Sequence, residues 1–339
     1  MTAQARLVSV LINNYNYGRF LRAAIDSALA QTYPHVEVVV VDDGSTDDSR
    51  EIIGSYGDRV RPLLQSNGGQ AAAVNAGLRM VRGDILFLLD SDDILAPDVA
   101  ERAVAQFEAD ERCVRVQFRL ATVDEAGNPT GDAVPPRGWP LLTGDLSTHV
   151  KRYRMFRSPP TSGNAWLTEA FRRLPPAPED LRMYVDRWWS ELSALLGTVG
   201  ALDGIGGYYR LHGTSHHAQE GHGLDFFQTR IALTERLHVA GRDLAAREGV
   251  AGYPREVAAS LDAALLTLRL AAHKLGDERR LPSLWRLAPR GVYAALVQPR
   301  QPWKTRIARA AWMLALSGTP SRSGFVPRLL AARYERGAH

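Results

Sequence analysis

Ile85-Leu86-Phe87-Leu88-Leu89, running directly into Asp90-Ser91-Asp92-Asp93, is the stretch on which the fold turns. Five consecutive apolar residues are the pattern of a strand buried on both faces of a parallel sheet. Three carboxylates follow within four residues of its C-terminal end, the edge where open α/β sheets bind their ligands. Ionised carboxylates crowded in this way repel one another. A divalent cation shared between one or two of them and a substrate's phosphates relieves that repulsion. The competing reading is local: Ser91, Asp92 and Asp93 turn the chain and cap a helix that begins between Ile94 and Pro97.

Working outward, the first hundred residues alternate strand and helix signals. Leu7 to Ile12 reads as a strand, and Asn13-Asn14-Tyr15-Asn16-Tyr17-Gly18 as a polar loop. Phe20, Leu21, Ala24, Ile25, Ala28 and Leu29 then fall at helical spacing. Val36 to Val41 is a second buried strand ending in Asp42-Asp43-Gly44-Ser45-Thr46-Asp47-Asp48, with Asp47 or Asp48 as the cap of a helix through Ile52 and Ile53. Val60 to Leu64 is a third strand, and Gln70 to Val81 a helix before the strand at Ile85. This βαβαβαβ order requires parallel strands, so their loops gather on one edge. Asn13 to Tyr15, Asp42 to Ser45, Gly68 to Asn75 and Asp90 to Asp93 are expected to meet there. Further on, Val114 to Val123 reads as a strand with a turn at Asp124 to Asn128.

Several function classes are excluded. The first strand is not followed by G-x-G-x-x-G, so the dinucleotide-binding loop is missing, and no G-x-x-x-x-G-K-[ST] occurs. A sugar-nucleotide pyrophosphorylase would need a Gly-rich, Arg/Lys-bearing loop after that strand. The single cysteine, Cys113, reads as a small core residue and suits a reducing compartment. No signal peptide is read at the N-terminus, and no run approaches the roughly 18 apolar residues of a membrane span. The expected location is cytoplasmic.

Charge is unevenly spread. Ala271 to His339 carries 13 Lys/Arg against three acids, so the net +4 of the chain leaves the first 270 residues at −6. A basic tail rich in Trp285, Tyr293, Trp303, Trp312 and the apolar stretch Ile307 to Leu316 suits peripheral contact with the inner face of a membrane better than nucleic acid. Packing of an amphipathic helix on its own protein is the alternative. Phe226 to Val239 and Val257 to His273 have helical apolar spacing.

Four stretches taken in order resemble a known family. Val8-Ser9-Val10-Leu11-Ile12-Asn13-Asn14-Tyr15-Asn16, Val39-Val40-Val41-Asp42-Asp43-Gly44-Ser45-Thr46-Asp47, Gly69-Gln70-Ala71 through Asn75-Ala76-Gly77, and Asp90-Ser91-Asp92-Asp93 look like the ordered signatures of family 2 glycosyltransferases with the GT-A fold. The resemblance runs from about residue 6 to 217. It implies an α/β domain with a mostly parallel sheet flanked by helices over 1–224, comprising a nucleotide-binding half to about 100 and an acceptor half from about 101. Residues 225–339 form a helical, basic C-terminal appendage. The activity implied is metal-dependent transfer of a sugar from a nucleotide-diphosphate donor to an acceptor hydroxyl, with inversion, in cell-surface polysaccharide or glycan assembly. The partners implied are that donor and a glycan or lipid-linked acceptor. A catalytically silent, nucleotide-binding or scaffolding relative is the alternative.

The resemblance also assigns residues. Asn13 and Tyr15 match the loop flanking the base, and Asp43 the acid that the base hydrogen-bonds, with Asp42 beside it. Gln70, Asn75 and Ser91 join the nucleotide-sugar-binding set. Asp90 and Asp92 match the D-x-D pair, Asp90 towards ribose and metal and Asp92 as a direct ligand of Mn²⁺ or Mg²⁺. His212, in Tyr209-Arg210-Leu211-His212, matches a histidine that completes the metal or diphosphate shell. An inverting transfer needs a base for the acceptor hydroxyl, and Asp186 matches it in preference to Glu179 or Asp180. Pro159 to Trp166 is placed by the resemblance at the acceptor and sugar pocket. Trp166, Trp188 and Trp189 are either sugar-stacking faces or core. His216, His217 and His222 read as loop residues, because no accompanying ligand set goes with them.

Overall fold

The computed structural model describes residues 5–153, 158–181, 184–213, 224–256, 266, 268–269, 284–297 and 303–318. Two compact units are present: Met1–Ser147 with Arg157–His212, and Thr148–Phe156 with Gly213–His339. The second unit thus takes a short segment, Thr148–Phe156, from within the first as well as everything after His212.

The first unit is built on one sheet. Its parallel part consists of β1 (Val8–Asn14), β2 (Val36–Asp43), β3 (Arg61–Gln65) and β4 (Ile85–Asp90), in the spatial order β3-β2-β1-β4. Residues 85 to 89 are fully buried, as an unbroken apolar run between two layers requires. Between these strands lie α1 (Gly18–Leu29), α2 (Ser49–Gly54) and α3 (Gln70–Gly77). In α1, Phe20, Leu21, Ala24, Ile25 and Ala28 form the buried stripe that the spacing predicts. α3 stops at Gly77, short of Val81, where Gly77 and the turn Gly77–Met80 end its ladder.

Beyond β4 come β5 (Ile94–Leu95), α4 (Val99–Ala109), β6 (Cys113–Val123), β7 (Pro129–Val134) and β8 (Gly144–Asp145). After α5 (Ser147–Tyr153), the chain forms β9 (Asn164–Leu167), α6 (Thr168–Arg173), α7 (Val185–Ser193) and β10 (Thr198–Arg210). The sheet continues as β4-β9-β6-β10-β5. Antiparallel pairing enters here: β9 runs against both β4 and β6, and β5 against β10, while β6 and β10 are parallel.

One local expectation is corrected. Ile94 and Leu95 do not begin a helix; they pair with Tyr208 and Gly207, and the next helix starts only at Val99. The acids before them are thus no helix cap. The turn they occupy lies between β4 and a short strand that draws the end of β10 alongside. Cys113 is buried in the core, as expected.

In the second unit the described helices are α5, all but its first residue, with α8 (Leu224–Arg247), α9 (Leu284–Val297) and α10 (Trp303–Gly318). The expected helix from Val257 to His273 lies largely outside the described residues, as do His216, His217 and His222. No helix among the described residues is long and apolar enough to cross a membrane.

Candidate active site

Register assembles the site. In the parallel sheet Asn13 stands beside Asp90, Asn14 beside Asp42, and Asp43 beside Gln65. The two adjacent acids of β2 then diverge, because neighbouring strand residues face opposite sides. Asp42, fully buried, accepts from Asn14 Nδ2 at 3.2 Å, Ser45 N at 3.2 Å and Arg50 Nε at 2.9 Å. It fastens the loop after β2. Asp43 turns the other way and accepts from Gln65 Nε2 (2.7 Å), Gly68 N (2.9 Å) and Gly69 N (2.7 Å). Gly69 has φ +89°, a conformation glycine adopts without the Cβ clash of other residues.

That loop leads straight to the D-x-D turn. Gln70, the residue after Gly69, donates Nε2 to Asp90 Oδ1 at 2.6 Å. Asn13 also bonds the Asp90 carboxyl. Asp90 N donates to Ser162 Oγ at 3.1 Å, so the Thr161–Gly163 turn supports the end of β4 from the side. Tyr15 stands exposed in the β1–α1 loop. Asn75 donates to the Ala177 carbonyl at 2.9 Å, which ties α3 to the segment leading into α7. Ser91 is buried, with no partner for its hydroxyl among the described residues.

The short β5–β10 pairing delivers the rest. His212 Nε2 and Asp92 Oδ2 are 2.9 Å apart, and the imidazole packs on Tyr17 and Phe20 with ring centroids at 5.3 and 5.0 Å. Arg210 donates Nε to the Asp92 carbonyl (3.0 Å) and Nη1 to the Glu125 carbonyl (2.9 Å), with its guanidinium over Phe20. Its backbone N–H donates to Asp93 Oδ1 at 3.1 Å. Asp93 is therefore a clip between the D-x-D turn and the end of β10.

Electrostatics follow from this convergence. Burial pushes the Asp90 carboxyl up to about 7, reinforced by the charges of Asp92 and Asp186 and opposed by the hydrogen bonds from Asn13 and Gln70. Burial and the charges of Asp92 and Asp90 hold Asp93 well above the usual carboxylate range. Tyr209 is raised by burial, then by Asp93, Asp92, Asp90 and Asp186. The charge of Asp186, in the first turn of α7, thus reaches the Asp90 carboxyl, although nearly a hundred residues separate them. The residue before that helix, Tyr184, sits at φ +61°, a costly conformation for a residue with a Cβ. Glu179 and Asp180 are exposed in the preceding segment.

A divalent cation suits this donor set. A carboxylate and an imidazole already touch, and beside them burial, reinforced by neighbouring negative charge, makes ionisation of the Asp90 carboxyl costly. No ready-made cluster of three such ligands exists among the described residues. Diphosphate oxygens and water are the natural remainder of a Mg²⁺-type shell.

Sequence reading gave no role of their own to Ser162, Tyr209 and Arg210, and took Asp93 only as one of three crowded acids or as a cap. Tyr209 and Arg210 lie in the Tyr-Arg-x-His segment that pointed to His212, and that segment was their only signal. Asp47, read as a cap, accepts from Gly18 N at the start of α1 and from Ser49 N in α2. Trp166, Trp188 and Trp189 are all buried and serve the core, with Trp188 donating to the Pro175 carbonyl; none presents a face to a sugar.

The profile of glycosyl transferase family 2 matches residues 9–162, which hold Asp42, Asp43, Asp90, Asp92 and Asp93. An uncharacterised glycosyltransferase of Nostoc sp. is 37% identical over 216 residues, 62% of this chain and 66% of that protein. The chain belongs to glycosyltransferase family 2. Escherichia coli chondroitin synthase is 34% identical over 186 residues, 53% of this chain and 26% of the synthase. The chain thus spans about two thirds of the Nostoc protein's length and about a quarter of the synthase. Among solved structures, S. aureus TarS 1–349 in complex with UDP covers 98% of this chain and 92% of that one, with a TM-score of 0.54 at 17% identity. The same protein in complex with UDP-GlcNAc gives a TM-score of 0.56. These likenesses establish the GT-A fold for this family 2 chain.

Proposed function

We propose that this family 2 chain transfers a sugar from a nucleotide-diphosphate donor to an acceptor hydroxyl with inversion at the anomeric carbon. The observation that carries this reading is the Asp92–His212 contact at the strand ends, beside an Asp90 carboxyl that feels the charges of both Asp92 and Asp186. Asn13, Tyr15 and the Asp43-anchored loop would receive the base and ribose, with Gln70 orienting Asp90. Asp92 and His212 would hold Mn²⁺ or Mg²⁺, and a bound divalent ion would neutralise charge on the departing diphosphate. Asp186, on the acceptor-side helix, takes the proton of the acceptor hydroxyl as its oxygen attacks the anomeric carbon opposite the leaving group. Ser91, Asp42 and Asn75 shape the loops around the donor. The acceptor is a glycan or lipid-linked glycan of cell-surface assembly.

Asp186→Asn tests the assignment. The amide keeps the side chain's shape but cannot take a proton. Transfer should fall by about 10²–10⁴-fold, while nucleoside-diphosphate binding, read by thermal shift with Mn²⁺ present, persists. Full transfer by the variant would remove Asp186 from the chemistry. A wild-type chain that binds donor and never transfers would leave a silent relative.

A further inference from the structure

Among the described residues, α9 and α10 carry apolar side chains left exposed to solvent. Leu266, Ala294, Ala295, Ala310 and Met313 form a small core there, with Val292 and Trp312 against it. Gly291 allows that closeness, since a Cβ on it would stand 2.1 Å from Met313 Cε. The helices' inner sides are therefore occupied. On α10, however, Trp303, Ile307 and Leu314 are 66%, 51% and 57% exposed. On a helical wheel they fall within about 40° of one another. Ala308, Ala311 and Ala315 are exposed too. Tyr293 and Leu296 are exposed on α9. These two helices hold five of the ten large apolar side chains that stand exposed among the described residues. Single exposed apolar residues need no explanation, but a stripe of them does.

Charge selects the occupant. From Arg279 to Tyr334 the chain has 11 Lys/Arg and not one Asp or Glu. On α10 itself, Lys304 lies with its ammonium 5.9 Å from the Trp303 ring centroid, and Arg306 reaches the Leu296 carbonyl. A second copy of this chain would bring cation against cation across such a face. Nucleic acid would use the cations but gain little from a Trp-Ile-Leu stripe. A bilayer rich in anionic lipid takes both, the apolar stripe entering the headgroup boundary and the cations meeting phosphates.

We propose that the α9–α10 face docks on the surface of an anionic phospholipid bilayer. This proposal does not depend on the transferase reading.

The test is sedimentation of the full chain with sucrose-loaded vesicles, either pure phosphatidylcholine or containing roughly one-third phosphatidylglycerol. The full chain should pellet with the anionic vesicles and much less with the neutral ones, and added salt should weaken the binding. Combining Trp303→Ser, Ile307→Ser and Leu314→Ser should lower vesicle affinity about tenfold or more. Because all three side chains are exposed, the variant's circular dichroism and melting should match the wild type. Lys304→Glu should weaken binding independently of the apolar stripe. Failure to pellet, equal binding to neutral vesicles, or a triple variant that binds undiminished would overturn the proposal. So would a concentration-dependent dimer that the triple variant dissolves without any vesicle binding.

Discussion

Replacing Asp93 by alanine should loosen the site without touching any group assigned to the donor. Asp93 is 1% exposed, and its Oδ1 is the acceptor for the buried backbone N–H of Arg210. Alanine leaves that N–H without a partner, at a cost of about 1–3 kcal/mol. For a unit of this size each kcal/mol moves Tm by roughly 2–4 °C, so the melting point should drop by about 4–8 °C for a 2 kcal/mol loss. Asp93→Asn retains an acceptor oxygen of the same shape and should stay within about 1 kcal/mol of the wild type. The functional consequence is directional. Arg210 is two residues from His212, so releasing its N–H frees the strand end that presents the imidazole to Asp92. KM for the donor should rise in the alanine variant more than kcat falls. Differential scanning calorimetry on the three proteins, with donor kinetics beside it, checks this. If alanine melts with the wild type, or asparagine is as damaging as alanine, the clip does not exist as described.

Two other outcomes are expected. His212→Ala removes one of the two groups already in contact at the proposed metal position, so the Mn²⁺ concentration for half-maximal nucleotide binding should rise about tenfold or more, as titration calorimetry would show. Glu37 responds to acid. Its burial works against ionisation, yet hydrogen bonds from Ser9 and from the Arg82 backbone and side chain, with the Arg82 charge, hold its carboxyl below the ordinary value of 4.5. The stability it contributes is therefore present above pH 4.5 and is lost as pH falls through its lower folded value. Melting curves across pH 6 to 3 should show Glu37→Gln less stable than wild type at the upper end, with the gap closing on acidification (about one site's worth). A gap that stays constant with pH would contradict the charge-based account.

Much of the scaffold was readable because burial on both faces writes itself into sequence as apolar runs. Residues 85 to 89 and 36 to 41 could hardly be anything but inner strands, and parallel order then forces their ends onto one edge. The acids at those ends were conspicuous for the same reason: charge placed directly after buried hydrocarbon. What neighbours in sequence do with that charge was not readable. Asp42 and Asp43 are adjacent and chemically identical, yet one is consumed by Asn14, Ser45 and Arg50, while the other holds Gly68 and Gly69. The difference comes from strand pleat and register, which only pairing defines. The same holds for the turn at Ile94, where partners on β10 outweigh the local capping signal.

By itself, then, the order of residues determined the alternating strands and helices, the edge where the acidic loops gather, and the candidates Asp92, Asp186 and His212. Tertiary structure alone decided which acids touch, that Asp93 and Arg210 lock the turn to the far strand, and that three tryptophans belong to the core. Local patterning reports whether a side chain is wet or dry. Which distant group it meets depends on strands separated by more than a hundred residues settling into one register.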